Sequence, residues 1–80
     1  MNKQDYQKAL SYLQKGDWQS AHNIVQSENT NIACLIHALV HRMEGDDFNA
    51  RYWYRQAQEN FPNNSLNEEL SRLSNFVADW

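Results

Sequence analysis

At 80 residues, with 41% hydrophobic and 12% aromatic side chains and a formal charge of -3, the chain is sized for one folded domain over residues 1–80 and is too apolar for a disordered segment. The acidic balance argues against nucleic-acid binding, which calls for a basic footprint. A single cysteine, Cys34, excludes an intrachain disulfide, and no apolar run approaches the roughly 20 residues of a membrane span. The start, Met1-Asn2-Lys3-Gln4-Asp5, carries no apolar signal-peptide core, so a cytoplasmic location is expected.

Two glycines and one proline leave few turn residues for a β fold. In chain order, helical periodicity first runs from Gln4 to Lys15, where Tyr6, Ala9, Leu10 and Leu13 make one apolar stripe. Gly16 suits the left-handed residue that closes a helix, and Asp17 suits the cap of the next. The second helix extends to about Ser27, with Trp18, Ala21 and Val25 on a face and Ile24 at its edge. A polar connector over 27–31 follows, in which Asn29 or Thr30 caps a third helix reaching Glu44. Ile32, Leu35, Ile36, Leu39, Val40 and Met43 form its stripe. Gly45 closes it. The fourth helix starts at Asp46 or Asp47 and runs to about Asn60, with Ala50, Trp53, Tyr54, Ala57 and Phe61 on one face and Phe48 and Tyr52 on the other. Pro62 bars its continuation. Ser65-Leu66-Asn67-Glu68 reads as a capping box opening a fifth helix, whose seam of Leu66, Leu70, Leu73, Val77 and Trp80 is expected to cover the open end of helices three and four or to meet a second copy.

The phrases Gly16-Asp17-Trp18-Gln19-Ser20-Ala21 and Gly45-Asp46-Asp47-Phe48-Asn49-Ala50 repeat one pattern: a Gly-Asp turn, an aromatic, and an Ala five residues after the Gly. Each lies between two helical stretches, which points to two antiparallel helix pairs plus a capping helix.

Three groups of side chains carry chemistry. His37 and His41 are one helical turn apart, and His22 approaches from the second helix; together they make a candidate metal or small-ligand site. The competing expectation is a buried polar network in which these rings bond to Tyr54 or to the Asp and Asn residues near the turn. Cys34 with His37 or His41 is a much weaker candidate nucleophile pair. Arg51 and Arg55, beside Tyr52 and with Arg42 nearby, form a cationic and aromatic group suited to a carboxylate or phosphate. Pairing of Asp47 with Arg51 and of Arg55 with Glu59 would neutralise it instead. No complete catalytic, metal or cofactor motif is present, and no cofactor is expected.

The segment from Cys34 to Asn64 resembles a tetratricopeptide unit. Ala50, Tyr54, Ala57 and Pro62 match its second helix, Gly45-Asp46 its turn, and Phe61-Pro62-Asn63-Asn64 its exit. Its first helix differs, with Cys34, His37, Ala38 and His41 where that family has Trp, Leu, Gly and Tyr. Ala9, Tyr12, Gly16 and Ala21 match in an earlier, partial unit. The stretch from His37 to Tyr54 is also similar to a run in small bacterial proteins, to which no activity attaches. The resemblance implies a protein- or peptide-binding scaffold rather than an activity. With it, the side chains point to a non-enzymatic interaction module whose binding residues are Arg42, Arg51, Tyr52, Arg55, His37 and His41. The alternative is a protein, catalytic or not, that binds metal or a small ligand through His22, His37 and His41.

Overall fold

The structure, a computed structural model, describes residues 2–80. It is all-α: α1 (Lys3–Gln14), α2 (Trp18–Val25), α3 (Asn31–Met43), α4 (Asp47–Gln56) and α5 (Leu66–Ala78). None of these is long and apolar enough to cross a membrane.

Side-chain caps set the helix starts. Asn2 and Asp5 form a capping box on α1, one residue ahead of the expected start. Asp17, Thr30 and Asp46 accept from the amides of Ser20, Ala33 and Asn49. Ser65 and Glu68 complete the box on α5. Three helices end in the same left-handed closure. After α1, Gly16 donates to the carbonyl of Leu13 and Asp17 to that of Tyr12. After α3, Gly45 donates to Arg42 and Asp46 to His41. After α4, Gln58 donates to Arg55 and Glu59 to Tyr54. The last closure ends α4 at Gln56, short of the expected Asn60, because Gln58 takes the left-handed conformation (φ 63°) that glycine takes in the other two.

α3 is the hub. It packs against the other four helices, and every residue from Ala33 to Val40 is buried. A helix buried all round needs no polar face, so the expected single stripe understates it. α5 packs on α3, as expected, and also on α1, and it meets α4 through Glu69 and Tyr54. Leu73 and Val77 are buried there, Trp80 lies over Tyr6 with ring centroids 5.1 Å apart, and Lys3 Nζ donates to the Ala78 carbonyl. The chain thus closes on its own first helix, and the central part of the α5 seam is consumed within the fold.

A buried carboxylate anchors this closure. Glu69 of α5, 0% exposed, accepts from Arg72 Nε (2.7 Å) and Nη2 (2.9 Å), from Tyr54 Oη (2.7 Å) and from Asn64 Nδ2 (2.9 Å). Burial alone would raise its pKa, but Arg72, Tyr54 and Asn64 outweigh burial and lower it to about 2. Arg42 of α3 joins the group through Tyr54 Oη (3.2 Å), Asn64 Oδ1 (2.9 Å) and the Asn64 carbonyl (2.6 Å).

Two outcomes test this account. Nothing lies within 4 Å of a Cβ added at Gly45, so Gly45→Ala is strained by backbone alone; it is expected to lose about 1–2 kcal/mol in urea denaturation, while Gln58→Gly gains up to about 1 kcal/mol. Glu69→Ala is expected to lose about 3 kcal/mol, the low end for a broken buried pair because Arg72 is 30% exposed. Glu69→Leu/Arg72→Met should recover part of that loss, and a double variant no better than Glu69→Ala would contradict the role given to the pair.

Candidate functional site

The two helix pairs bring the three histidines together. α2 buries Ala21 and Val25, which leaves His22 at the edge facing α3. On α3, His37 and His41 lie one turn apart. The ring centroids are 4.6 Å apart for His22 and His37, 4.9 Å for His37 and His41, and 5.8 Å for His22 and His41. One nitrogen from each ring lies within 4.8 Å of the other two. α4 closes the far side: the Trp53 indole stacks on His37 at 3.9 Å with planes 13° apart, and Tyr52 meets Trp53 edge-on at 5.1 Å.

The rings differ in what holds them. His41 Nδ1 donates to Glu44 Oε1 at 2.5 Å, so Nε2 is the nitrogen left to meet a ligand. Glu44, His41 and Asp46 themselves bring ligand atoms within 4.8 Å of one another. Asp46 is held by the Asn49 amide and side chain as the cap of α4, and these bonds keep its pKa below the usual range. His37 is 4% exposed, and its Nδ1 is buried with no hydrogen-bond partner. Desolvation, followed by repulsion from His22 and His41, lowers its pKa to about 4. At neutral pH it is an uncharged imidazole in an apolar surround. The expected bonds from these rings to Tyr54 do not form, because the Tyr54 hydroxyl is committed to Glu69 and Arg42.

The other sequence candidates lie elsewhere. Arg42 is consumed by Tyr54 and Asn64 and sits over the Phe61 ring at 5.0 Å, so it belongs to the fold's anchor. Arg51, Tyr52 and Arg55 share the outer face of α4. The expected pairs do not form among the described residues: Glu59 binds Arg72 at 3.0 Å, and neither Arg51 nor Arg55 has an ion pair. Cys34 is buried, and burial pushes its thiol pKa up, the reverse of what a nucleophile needs. Glu44 and Trp53, which complete the histidine site, were legible only as the end of the third helix and as part of one face of the fourth. Glu69 and Arg72 escaped notice, although Glu69 lies one turn before Leu73 on the α5 seam.

The displaced pKa of His37 gives the fold an acid sensitivity. Unfolded, its ring takes a proton near 6.5; folded, only near 4. Between these values the unfolded chain binds more protons, so the stability that neutral His37 contributes is present above about pH 6.5 and is lost as pH falls towards 4. That loss is at most about 3 kcal/mol. The corresponding loss at Glu69 comes lower, between 4.5 and about 2. His37→Phe keeps a ring on Trp53 and removes the titration. Urea denaturation between about pH 7 and pH 5 should show a slope in the parent and a flatter line in the variant; equal slopes would refute this origin.

No family model, no curated protein and no solved structure matches the chain, so its role has to be argued from its own side chains.

Proposed function

We propose that this protein binds one transition-metal ion of the zinc class through His22, His37 and His41. The observation that carries the reading is the convergence of three imidazoles from two helices, one of them with a buried nitrogen that no protein atom satisfies. Such an orphan costs about 1–3 kcal/mol, and a bound cation is one way to offset it. Imidazole nitrogens suit zinc, copper, nickel and cobalt and disfavour magnesium or calcium. Bonds of about 2.0–2.1 Å hold tetrahedral ligands about 3.4 Å apart, and nitrogens already within 4.8 Å of one another reach that spacing with ring shifts of at most about an ångström.

Three further features support the reading. His37 is a neutral imidazole at neutral pH, so no second ring proton competes with a metal for its lone pair. The Glu44 carboxylate on His41 Nδ1 fixes that ring and raises its basicity, the usual partner of a metal-bound histidine. Glu44 and Asp46 add negative charge beside the three imidazoles. With three protein nitrogens, a fourth position stays open to water or to an exogenous ligand. An ion there would tie α2 to α3 and stabilise the folded state. Protein recognition, the other role considered from the sequence, draws its support from a separate surface, the outer face of α4.

Calorimetric titration with zinc sulfate at about pH 7.5 should show one ion per chain, weaker binding at about pH 5.5, and a thermal midpoint raised by about 10 °C or more at a hundredfold excess over Kd. His37→Phe and His22→Gln should abolish both effects while leaving the helical circular dichroism intact. Zinc binding that is unaffected by these substitutions, or absent from the parent, would overturn the proposal.

A further inference from the structure

The outer face of α4 is built like an inner one. Phe48, Arg51, Tyr52 and Arg55 follow the i, i+3, i+4, i+7 spacing that elsewhere in this chain marks a buried stripe. Here Phe48 is 83% and Tyr52 51% exposed, while Ala50 and Tyr54 carry the packing on the opposite side. These four side chains line a shallow cavity of about 190 Å³, which is room for about six waters. Arg51 is steadied by the Phe61 ring, 5.3 Å from its guanidinium carbon. Neither the Arg51 nor the Arg55 side chain forms a hydrogen bond or an ion pair among the described residues. Two unneutralised guanidiniums beside two bare aromatic rings, on a chain of formal charge -3, form a local cationic patch in an acidic protein.

The stripe consists of two parallel rows. Phe48 and Tyr52 make an aromatic row, and Arg51 and Arg55 a cationic one. Within each row the spacing is four helical residues, about 6 Å along the axis. An extended chain repeats its side chains on one edge every two residues, at about 6.6–6.8 Å. We infer that this face binds an extended segment of a partner protein in which acidic and apolar residues alternate. Its carboxylates meet Arg51 and Arg55 along one edge, and its apolar side chains meet Phe48 and Tyr52 along the other. Arginine forks take carboxylates in bidentate geometry, and the aromatic floor excludes water beside them. A second copy of this chain is a poor occupant, since a two-fold contact through this face brings four more of the same side chains, none of them a carboxylate, to arginines that need one. Nucleic acid is disfavoured by the paucity of cations and by the acidic balance.

The test is a titration of ¹⁵N-labelled protein with a capped peptide of three Glu-Leu repeats, followed by amide shifts. The expected shifts are confined to α4 and the Phe61 segment, weaken several-fold between about 50 and 500 mM NaCl, and are absent with the Lys-Leu counterpart. Arg51→Gln/Arg55→Gln should weaken binding by about tenfold or more, and Phe48→Ala by several-fold. Lys8→Gln, which removes an exposed cation on α1, should leave binding unchanged, as should His37→Phe, which separates this inference from the metal site. All these positions except His37 are exposed, so folding is not at stake. Shifts that centre elsewhere, an equal loss with Lys8→Gln, concentration-dependent shifts of the protein alone on this face, or tighter binding of oligothymidylate would each overturn the proposal.

Discussion

The architecture depends on one carboxylate kept out of water. Glu69 has no exposure, and a bare charge there would be untenable. It is tolerated because Arg72, Tyr54 and Asn64 occupy its oxygens and Arg42 in turn holds Tyr54 and Asn64. Those residues come from α3, α4, the segment after Pro62, and α5, so one polar cluster fixes the relative placement of three helices. Hydrophobic burial supplies the driving force, but it is non-directional. The clasp supplies direction: α5 is drawn back onto α1 and α3, and α4 is held with its Trp53 facing inward.

That placement creates a contrast along α3. Two of its polar side chains lie on the inner side of the bundle, about five residues apart. Arg42 meets acceptors in Tyr54 and Asn64. His37 meets the face of an indole and two other imidazoles, and one of its nitrogens goes without a partner. A chain that satisfies its half-buried arginine and its buried carboxylate so thoroughly has no stereochemical need for an orphaned imidazole. Sites that break a local rule while the rest of the fold obeys it are where function is to be sought. The same helix pair that leaves His37 under-satisfied on the inside leaves Phe48 and Tyr52 uncovered on the outside, and Trp53, in contact with both His37 and Tyr52, lies between the two surfaces.

Much of the fold was legible because its punctuation is local. Gly16-Asp17, Gly45-Asp46 and Ser65 to Glu68 stop and start helices through the backbone freedom of glycine and the acceptor oxygens of short side chains, and these leave marks in the sequence. The end of α4 left none: Gln58 does a glycine's work, and a glutamine in a left-handed turn looks like any other glutamine. The closure of α5 on α1 was hidden for a different reason. A seam shows that a helix must pack, not what it packs on. For the site, the pairing of His37 with His41 follows from helical spacing alone. The approach of His22 depends on how α2 rests on α3, a product of packing across the Ser27–Asn31 connector. Trp53 could be assigned to a buried face but not to a particular ring. Glu69 was the readable clue that was missed, a charged residue in step with Leu73 and Val77.

Three side chains from two helices are proposed to act as one site. The chain has three histidines, so the imidazole ¹⁵N spectrum is a spectrum of that site alone. Long-range ¹⁵N–¹H correlation with and without one equivalent of zinc reports the state of all six ring nitrogens. The account requires that one nitrogen of each of His22, His37 and His41 move together to the metal-bound position, with Nδ1 of His41 still protonated against Glu44. Three rings whose nitrogens stay as they were, or a shift confined to a single exposed ring, would contradict it.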